Sequence, residues 1–384
     1  MIKAFIAKIK KNDFILSLLV CTALVYSLLL IFSMQRAGSY NYLTTQIMAV
    51  LLGTVIGCVV AVMDYNDIVK FWYLFAALGV FLACLVFLFG IQVSGTDDTA
   101  WLQIGNLSVQ PSEFIKICFI ITFAKHISVI YERGRIKSFP AALALLLHAG
   151  IPMALIHLQG EDGTVLIFAF IALITAFSAG IAKKYYIMLA AGVLTAIPFI
   201  WNYVLNDEHR NRFIALLDID GNSMSNYGWQ QYQGKISIAS GMLTGAGYGN
   251  GTRVEYGIVP EQENDFIFSV AGEELGFIGC CLIILILLLI MLKIVVIGIN
   301  ANNIEGKCIC AGVFSLIASQ TIINLGMVLG FLPVIGITLP FFSAGGSSIM
   351  SILICIGLVQ SVSANTDKKI SKTFSETKPV RSVI

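Results

Sequence analysis

From Val259 to Gly279 the chain reads Val-Pro-Glu-Gln-Glu-Asn-Asp-Phe-Ile-Phe-Ser-Val-Ala-Gly-Glu-Glu-Leu-Gly-Phe-Ile-Gly, and the apolar run that begins here continues to residue 297. As a helix that run would be about 48 Å long, against an apolar bilayer core of about 30 Å. It is therefore a membrane helix that is too long to stay straight, and Gly272, Gly276 and Gly279 are the places where it can break. Five carboxylates (Glu261, Glu263, Asp265, Glu273 and Glu274) crowd its mouth. Carboxylates are costly in lipid, so Glu273 and Glu274 are expected to border a polar cavity.

Working outward, the same pattern repeats. Hydrophobic residues make up 58% of the 384 residues and charged residues 12%, about half the charge of a soluble domain. Further apolar runs occupy roughly 14–34, 43–63, 69–93, 113–131, 140–158, 163–182, 185–205, 307–332 and 347–363. With 266–297 this makes ten spans of an all-α polytopic membrane protein. Barrel strands would alternate apolar and polar residues, and these runs do not. Residues 1–365 form one transmembrane domain, and 366–384 form a basic tail. The net charge of +2 is too small to suggest nucleic acid as a partner. All nine Cys lie in or at the ends of apolar runs, so no external disulfide framework is written here. The four His show no metal-ligand spacing.

Lys and Arg set the orientation. With both termini cytoplasmic, only Arg36, Arg210, Arg212, Lys235 and Arg253 lie outside and Lys116 lies within a span; all the other Lys and Arg, out of 24, are inside. Four loops then share the outer face: 94–112, 157–164, a large extracellular loop at about 206–265, and 333–346. The inner loops are short and carry no nucleotide-binding motif, so cytoplasmic ATP is not an indicated energy source.

Several outer residues carry candidate chemistry. Glu113 and Lys116, at i and i+3, share a helix face at the start of the fourth span. Pro111 and Ser112 read as a helix start, with Ser112 as N-cap and Glu113 in the first turn. Trp101 reads as an interfacial anchor or as a stacking surface for a sugar ring. Arg210, Arg212, Lys235 and Arg253, nearly all the external cations, fall in one loop and could hold a diphosphate, with surface solvation as the competing reading.

Four segments resemble the RodA/FtsW/SpoVE (SEDS) family of bacterial cell-wall synthases, and the likeness runs over about residues 12–363. They are Trp-Leu-Gln-Ile-Gly-Asn-Leu-Ser-Val-Gln-Pro-Ser-Glu-Phe-Ile-Lys at 101–116, Gly-Lys-Ile-Ser-Ile-Ala-Ser-Gly at 234–241, the opening stretch, and 324–348 from Asn-Leu-Gly-Met to Gly-Gly-Ser-Ser. The resemblance implies ten transmembrane helices in the plasma membrane of a bacterium. It implies peptidoglycan glycosyltransferase activity on lipid II, a disaccharide-pentapeptide on a polyprenyl diphosphate, in elongation or division. It places the family's essential aspartate on Asp265 and its Pro-Glu dipeptide on Pro260 and Glu261, and it carries over Glu113 and Lys116. Where relatives read Gln-Pro-Asp-x-Gly-Thr this chain has Gln159-Gly160-Glu161-Asp162-Gly163-Thr164, which makes Glu161 or Asp162 the substitute. Ala344 stands where relatives carry Tyr.

On this reading Asp265 is the general base for a sugar hydroxyl. Lys116, Arg210, Lys235 and Arg253 are candidates to meet the leaving diphosphate, with or without Mg²⁺ or Mn²⁺. Trp101, Glu113, Glu161 and Glu261 complete the substrate site. The implied partner is a class B penicillin-binding protein, a transpeptidase, together with other elongation or division machinery. Two rival functions are a lipid II flippase and a non-catalytic scaffold for the transpeptidase.

Overall fold

The computed structural model describes residues 11–36, 42–92, 99–105, 107–204, 207–217 and 226–366. The basic tail beyond Thr366 and the lysines before Lys11 lie outside the described residues. The helices are α1 (Phe14–Arg36), α2 (Tyr42–Val62), α3 (Tyr65–Lys70), α4 (Trp72–Phe89), α5 (Pro111–Glu132), α6 (Phe139–His157), α7 (Asp162–Ser178) and α8 (Lys183–Phe199, prolonged by a π turn to Val204). They continue with α9 (Asp207–Leu217), α10 (Asn226–Ser240), α11 (Thr252–Glu255), α12 (Ile267–Ile299), α13 (Ile304–Val328) and α14 (Gly346–Ala364). A small antiparallel hairpin, β1 (Leu102–Ile104) and β2 (Leu107–Val109), precedes α5.

Among the described residues, nine helices are long and apolar enough to cross a membrane, and the 17-residue α7 is a shorter tenth. These are the ten expected spans. The sequence reading treated 206–265 as loop; the structure places α9, α10 and α11 there.

α5, α13 and α14 are the most enclosed spans, whereas α8 buries no residue. Lipid is as apolar as leucine, so close helix packing here depends on small residues rather than on hydrophobic exclusion. α2 supplies them as Gly53 and Gly57. A Cβ on Gly57 would lie 2.6 Å from the Leu353 carbonyl of α14, and one on Gly357 would lie 2.4 Å from the Gly57 carbonyl. The two backbones touch there, and any side chain would push α2 off α14.

α12 breaks where the glycines allowed. Gly276 has φ 65° and ψ −162°, a conformation open essentially to glycine. A break inside a membrane helix frees peptide groups that lipid cannot satisfy. The segment after α10 satisfies them. The Ala246 and Gly247 amides donate to the Glu273 and Glu274 carbonyls (2.9 and 3.0 Å), and the Phe277 and Ile278 amides donate to the Met242 and Leu243 carbonyls (2.9 and 3.2 Å). This strap splints the two halves of α12 from the side.

The segment between α13 and α14 is irregular yet buried: Leu339, Phe341 and Phe342 are at most 1% exposed. Irregular backbone at membrane depth is tolerated only when protein surrounds it. Ser27 of α1 donates to the Phe342 carbonyl (2.7 Å), and Gln46 of α2 donates to the Ser343 carbonyl (3.1 Å) and accepts from the Gly345 amide (3.2 Å). This buried loop meets the starts of α7, α12 and α14, and there the candidate site lies.

Candidate active site

Three helix starts build one wall. α5 begins at Pro111 with Gln110 as its N-cap, and the Gln110 amide donates to Ser347 Oγ in the first turn of α14 (3.1 Å). Ser112 is therefore not the N-cap expected from the sequence. Its hydroxyl donates instead to Glu161 Oε2 at 2.7 Å, across to the start of α7. Pro111 pre-sets the helical dihedral and needs no capped amide of its own, which leaves the Ser112 hydroxyl available.

Glu113 and Lys116 pair at 2.7 Å, and their side chains are 7% and 1% exposed. Lys116 does not snorkel toward the interface; it is wholly enclosed. The second Glu113 oxygen accepts from Ser351 Oγ of α14 at 2.8 Å. An ion pair at this depth is tolerable only when its remaining oxygens find donors, and Ser351 is the donor that sequence reading missed. Neither Glu273 nor Glu274 is the partner of Lys116. Glu273 accepts from the Arg253 amide (2.6 Å) and Glu274 from Ser33 Oγ (2.5 Å). Both are almost fully buried, bordering protein rather than lipid.

The structure separates Glu161 from Asp162. Glu161 is 7% exposed, and burial pushes its carboxyl above the usual range, with the Ser112 hydrogen bond working the other way. Asp162 turns outward to pair with His157 at 2.5 Å. Only Glu161 faces the Glu113 wall.

Asp265 ends the turn that enters α12. The Asn264 and Phe266 amides both close on the Glu261 carbonyl (3.1 Å each), and Glu261 takes the left-handed φ of 51° that this tight closure requires. The Glu261 carboxylate is exposed and accepts from Asn264 Nδ2 at 2.8 Å, so this residue shapes the turn. Three consecutive carbonyls then meet donors from the other side. Glu263 O accepts from the Ala344 amide (2.8 Å), Asn264 O from Ser343 Oγ (2.6 Å) and Asp265 O from Asn324 Nδ2 (2.8 Å). The Asp265 carboxylate itself accepts no hydrogen bond among the described residues. Burial, then the Glu261 and Glu263 carboxylates, push it up to about 7. Gly336 lies beside it: a Cβ there would stand 3.7 Å from Asp265 Oδ2, in ordinary van der Waals contact.

The external cations do not form one cluster by direct contact. Arg210 holds the Trp201 and Asn202 carbonyls and Asp207. Arg212 donates to the Val334 carbonyl of the buried loop (3.1 Å). Arg253 holds Ser237 Oγ and Gln233 of α10. Lys235 is exposed and lies over Gly330. Trp101 is half-buried, and its carbonyl accepts from the Ile91 amide at 2.8 Å, which ties the hairpin to the end of α4. Among the described residues no group of three or more His, Cys, Asp or Glu is placed to hold a metal ion.

Nine membrane-length helices and the shorter α7, among the described residues, with a loop-lined acidic site at one end of the bundle, define a class: polytopic integral membrane proteins. The family model FTSW_RODA_SPOVE, described as "Cell cycle protein", matches residues 11–368, and the chain belongs to that family. It is 28% identical over 359 residues to the peptidoglycan glycosyltransferase MrdB of Escherichia coli, covering 93% of this chain and 94% of the relative. It is 32% identical over 289 residues to stage V sporulation protein E of Bacillus subtilis, covering 74% and 76%. In fold it is similar to the rod shape determining protein RodA of Thermus thermophilus (TM-score 0.68, 23% identity, 92% and 97% of the chains). It is also similar to a chain from a structure described as "Structural coordination of polymerization and crosslinking by a peptidoglycan synthase complex" (TM-score 0.78, 24% identity, 93% and 99%).

Proposed function

We infer that this chain is a peptidoglycan glycosyltransferase of the bacterial plasma membrane, joining lipid II into glycan strands with Asp265 as the general base. Family membership and the names of its relatives support the activity. The observation that carries the role of Asp265 is its carboxylate: without a hydrogen bond among the described residues, pushed up to about 7 by burial and like charges, and set beside Gly336 of the buried loop. A base works best when its pKa lies near the working pH.

The reaction needs a proton removed from the acceptor sugar 4-hydroxyl as its oxygen attacks the anomeric carbon of the donor. Asp265 takes that proton. The new glycosidic bond forms as the bond from the anomeric carbon to the polyprenyl diphosphate breaks, and a single displacement inverts the carbon. The leaving diphosphate gains charge, and cations near it lower the barrier. Lys235 and Arg253 are the cations we assign to it, with Arg210 further along the same loop. Lys116 is enclosed and held by Glu113, and we give the pair, with Glu161 and Ser112, the task of fixing the wall formed by the starts of α5, α7 and α14. Among the described residues no three His, Cys, Asp or Glu side chains come together as ligands for a divalent cation. Orientation by Lys and Arg bias supports placing this end of the bundle outside, with both termini cytoplasmic. A class B penicillin-binding transpeptidase fits as the partner that crosslinks the product.

The test is Asp265→Asn in purified protein given labelled lipid II. Polymerisation falls by about 10²–10⁴-fold while lipid II binding persists. Polymerisation near the wild-type rate would falsify the base assignment. Transfer of lipid II across vesicles without polymer would favour a flippase, and full function with Asp265→Ala would favour a scaffold.

A further inference from the structure

We propose that Asn324 and Ser343 are positioning residues that aim Asp265 at its substrate by fixing its backbone against the buried loop between α13 and α14. This rests on Asp265 being the base.

The Asp265 carboxylate has no hydrogen bond of its own among the described residues, so its place is dictated by its backbone. That backbone is not yet helical. α12 begins at Ile267, and the carbonyls of Glu263, Asn264 and Asp265 need donors from elsewhere. Two of the three are side chains. Ser343 Oγ accepts from the Leu339 amide (2.7 Å) and donates to Asn264 O (2.6 Å), which orients its single proton. Asn324 is 0% exposed, and its Nδ2 donates to both Asp265 O (2.8 Å) and Ile337 O (2.7 Å). The amide has one workable orientation, because its reverse would set Oδ1 against two carbonyl oxygens.

The second bond gives Asn324 more than a structural task. Ile337 directly follows Gly336, the residue beside the Asp265 carboxylate. One amide group therefore holds both the backbone of the base and the loop beside its carboxylate. Through Ser343 the same loop also grips the preceding carbonyl. If either donor is lost, the turn stays closed on the Glu261 carbonyl but can move relative to Gly336. Displacements on the scale of 1 Å at a reacting group cost about a hundredfold in rate.

The experiment measures lipid II polymerisation over a range of pH by the purified full-length chain carrying Asn324→Ala, Ser343→Ala or Ser343→Thr. Expected are a kcat about ten- to a hundredfold lower for the two alanine variants, an unchanged KM, and a shifted acidic limb, because the surroundings of Asp265 change. Ser343→Thr keeps the hydroxyl and recovers the rate. Melting temperature in detergent separates aim from fold. A loss of activity that follows melting temperature and is equal at every pH overturns the proposal, as does a wild-type kcat and pH limb. Ser343→Ala leaves α13 intact and carries the test if Asn324→Ala cannot be purified. Asp265→Asn run alongside keeps the two ideas apart. If it is inactive while the alanine variants behave as wild type, the base stands and the positioning fails; if it is active, the base itself fails.

Discussion

Glu113 and Asp265 stand at the same end of one helical bundle, and their surroundings differ in kind. Glu113 is 5% exposed, with Lys116 on one oxygen and Ser351 on the other. Its charge is cancelled and its geometry fixed. Asp265 is half-buried, and the charges that act on its carboxyl, Glu261 and Glu263, are of its own sign. Among the described residues, the donors meet the backbone of the Asp265 turn and leave the carboxylate bare. A paired buried carboxylate is scaffold, whereas an unpaired one with raised proton affinity is available for proton transfer. The difference lies in which part of the residue is held.

The sharpest way to break this contrast is to remove Lys116. Lys116→Met leaves Glu113 buried without its cation, and about 3–5 kcal/mol of stability should go with it, read as thermal unfolding in detergent. Adding Glu113→Gln should recover most of that loss, because a neutral pair no longer pays for a stranded charge. A single variant as stable as the wild type would show that the pair is not what holds this wall.

A smaller effect concerns pH. A general base works when deprotonated, so with Asp265 in that role activity should fall as pH drops through about 7. Glu261 and Glu263 raise Asp265, so Glu261→Gln with Glu263→Gln should lower its pKa and move the acidic limb of kcat/KM to lower pH. A limb that stays in place, or moves upward, would mean that the like charges do not act on the base.

The smallest expected change distinguishes two adjacent acids. Asp162→Asn breaks a surface pair with His157, and exposed pairs contribute about 0–1 kcal/mol, so stability and polymerisation should barely move. Glu161→Gln alters a buried acceptor of Ser112 and should slow polymerisation at unchanged melting temperature. Equal effects from the two would erase the distinction the structure draws between them.

The spans were legible because lipid demands long apolar runs, and such runs are local in sequence. Gly276 was legible as one of three breaks because the α12 run is longer than the membrane is thick. Asp265 was legible through the motif that carries it. What holds these groups was not. Ser112 looked like a helix cap, yet its partner is 49 residues away. Ser351 reaches Glu113 over 238 residues, Ser343 reaches Asn264 over 79, and Asn324 reaches Asp265 over 59. Periodicity reports which face a side chain takes, not which distant segment meets that face. A polar residue inside an apolar run, such as Asn324 or Ser351, was the available sign that a partner exists.

The splint across α12 bears on how the protein is made. Met242 to Gly247 leave the ribosome before the break they support, since Glu273 to Ile278 follow them in the chain. When the second half of α12 enters the bilayer, the groups that will pair with its broken turn are already synthesised. An order of synthesis with helix first and strap later would leave four peptide groups facing hydrocarbon for the interval, at several kcal/mol each. The direction of the chain thus protects a helix that could not safely enter the membrane alone.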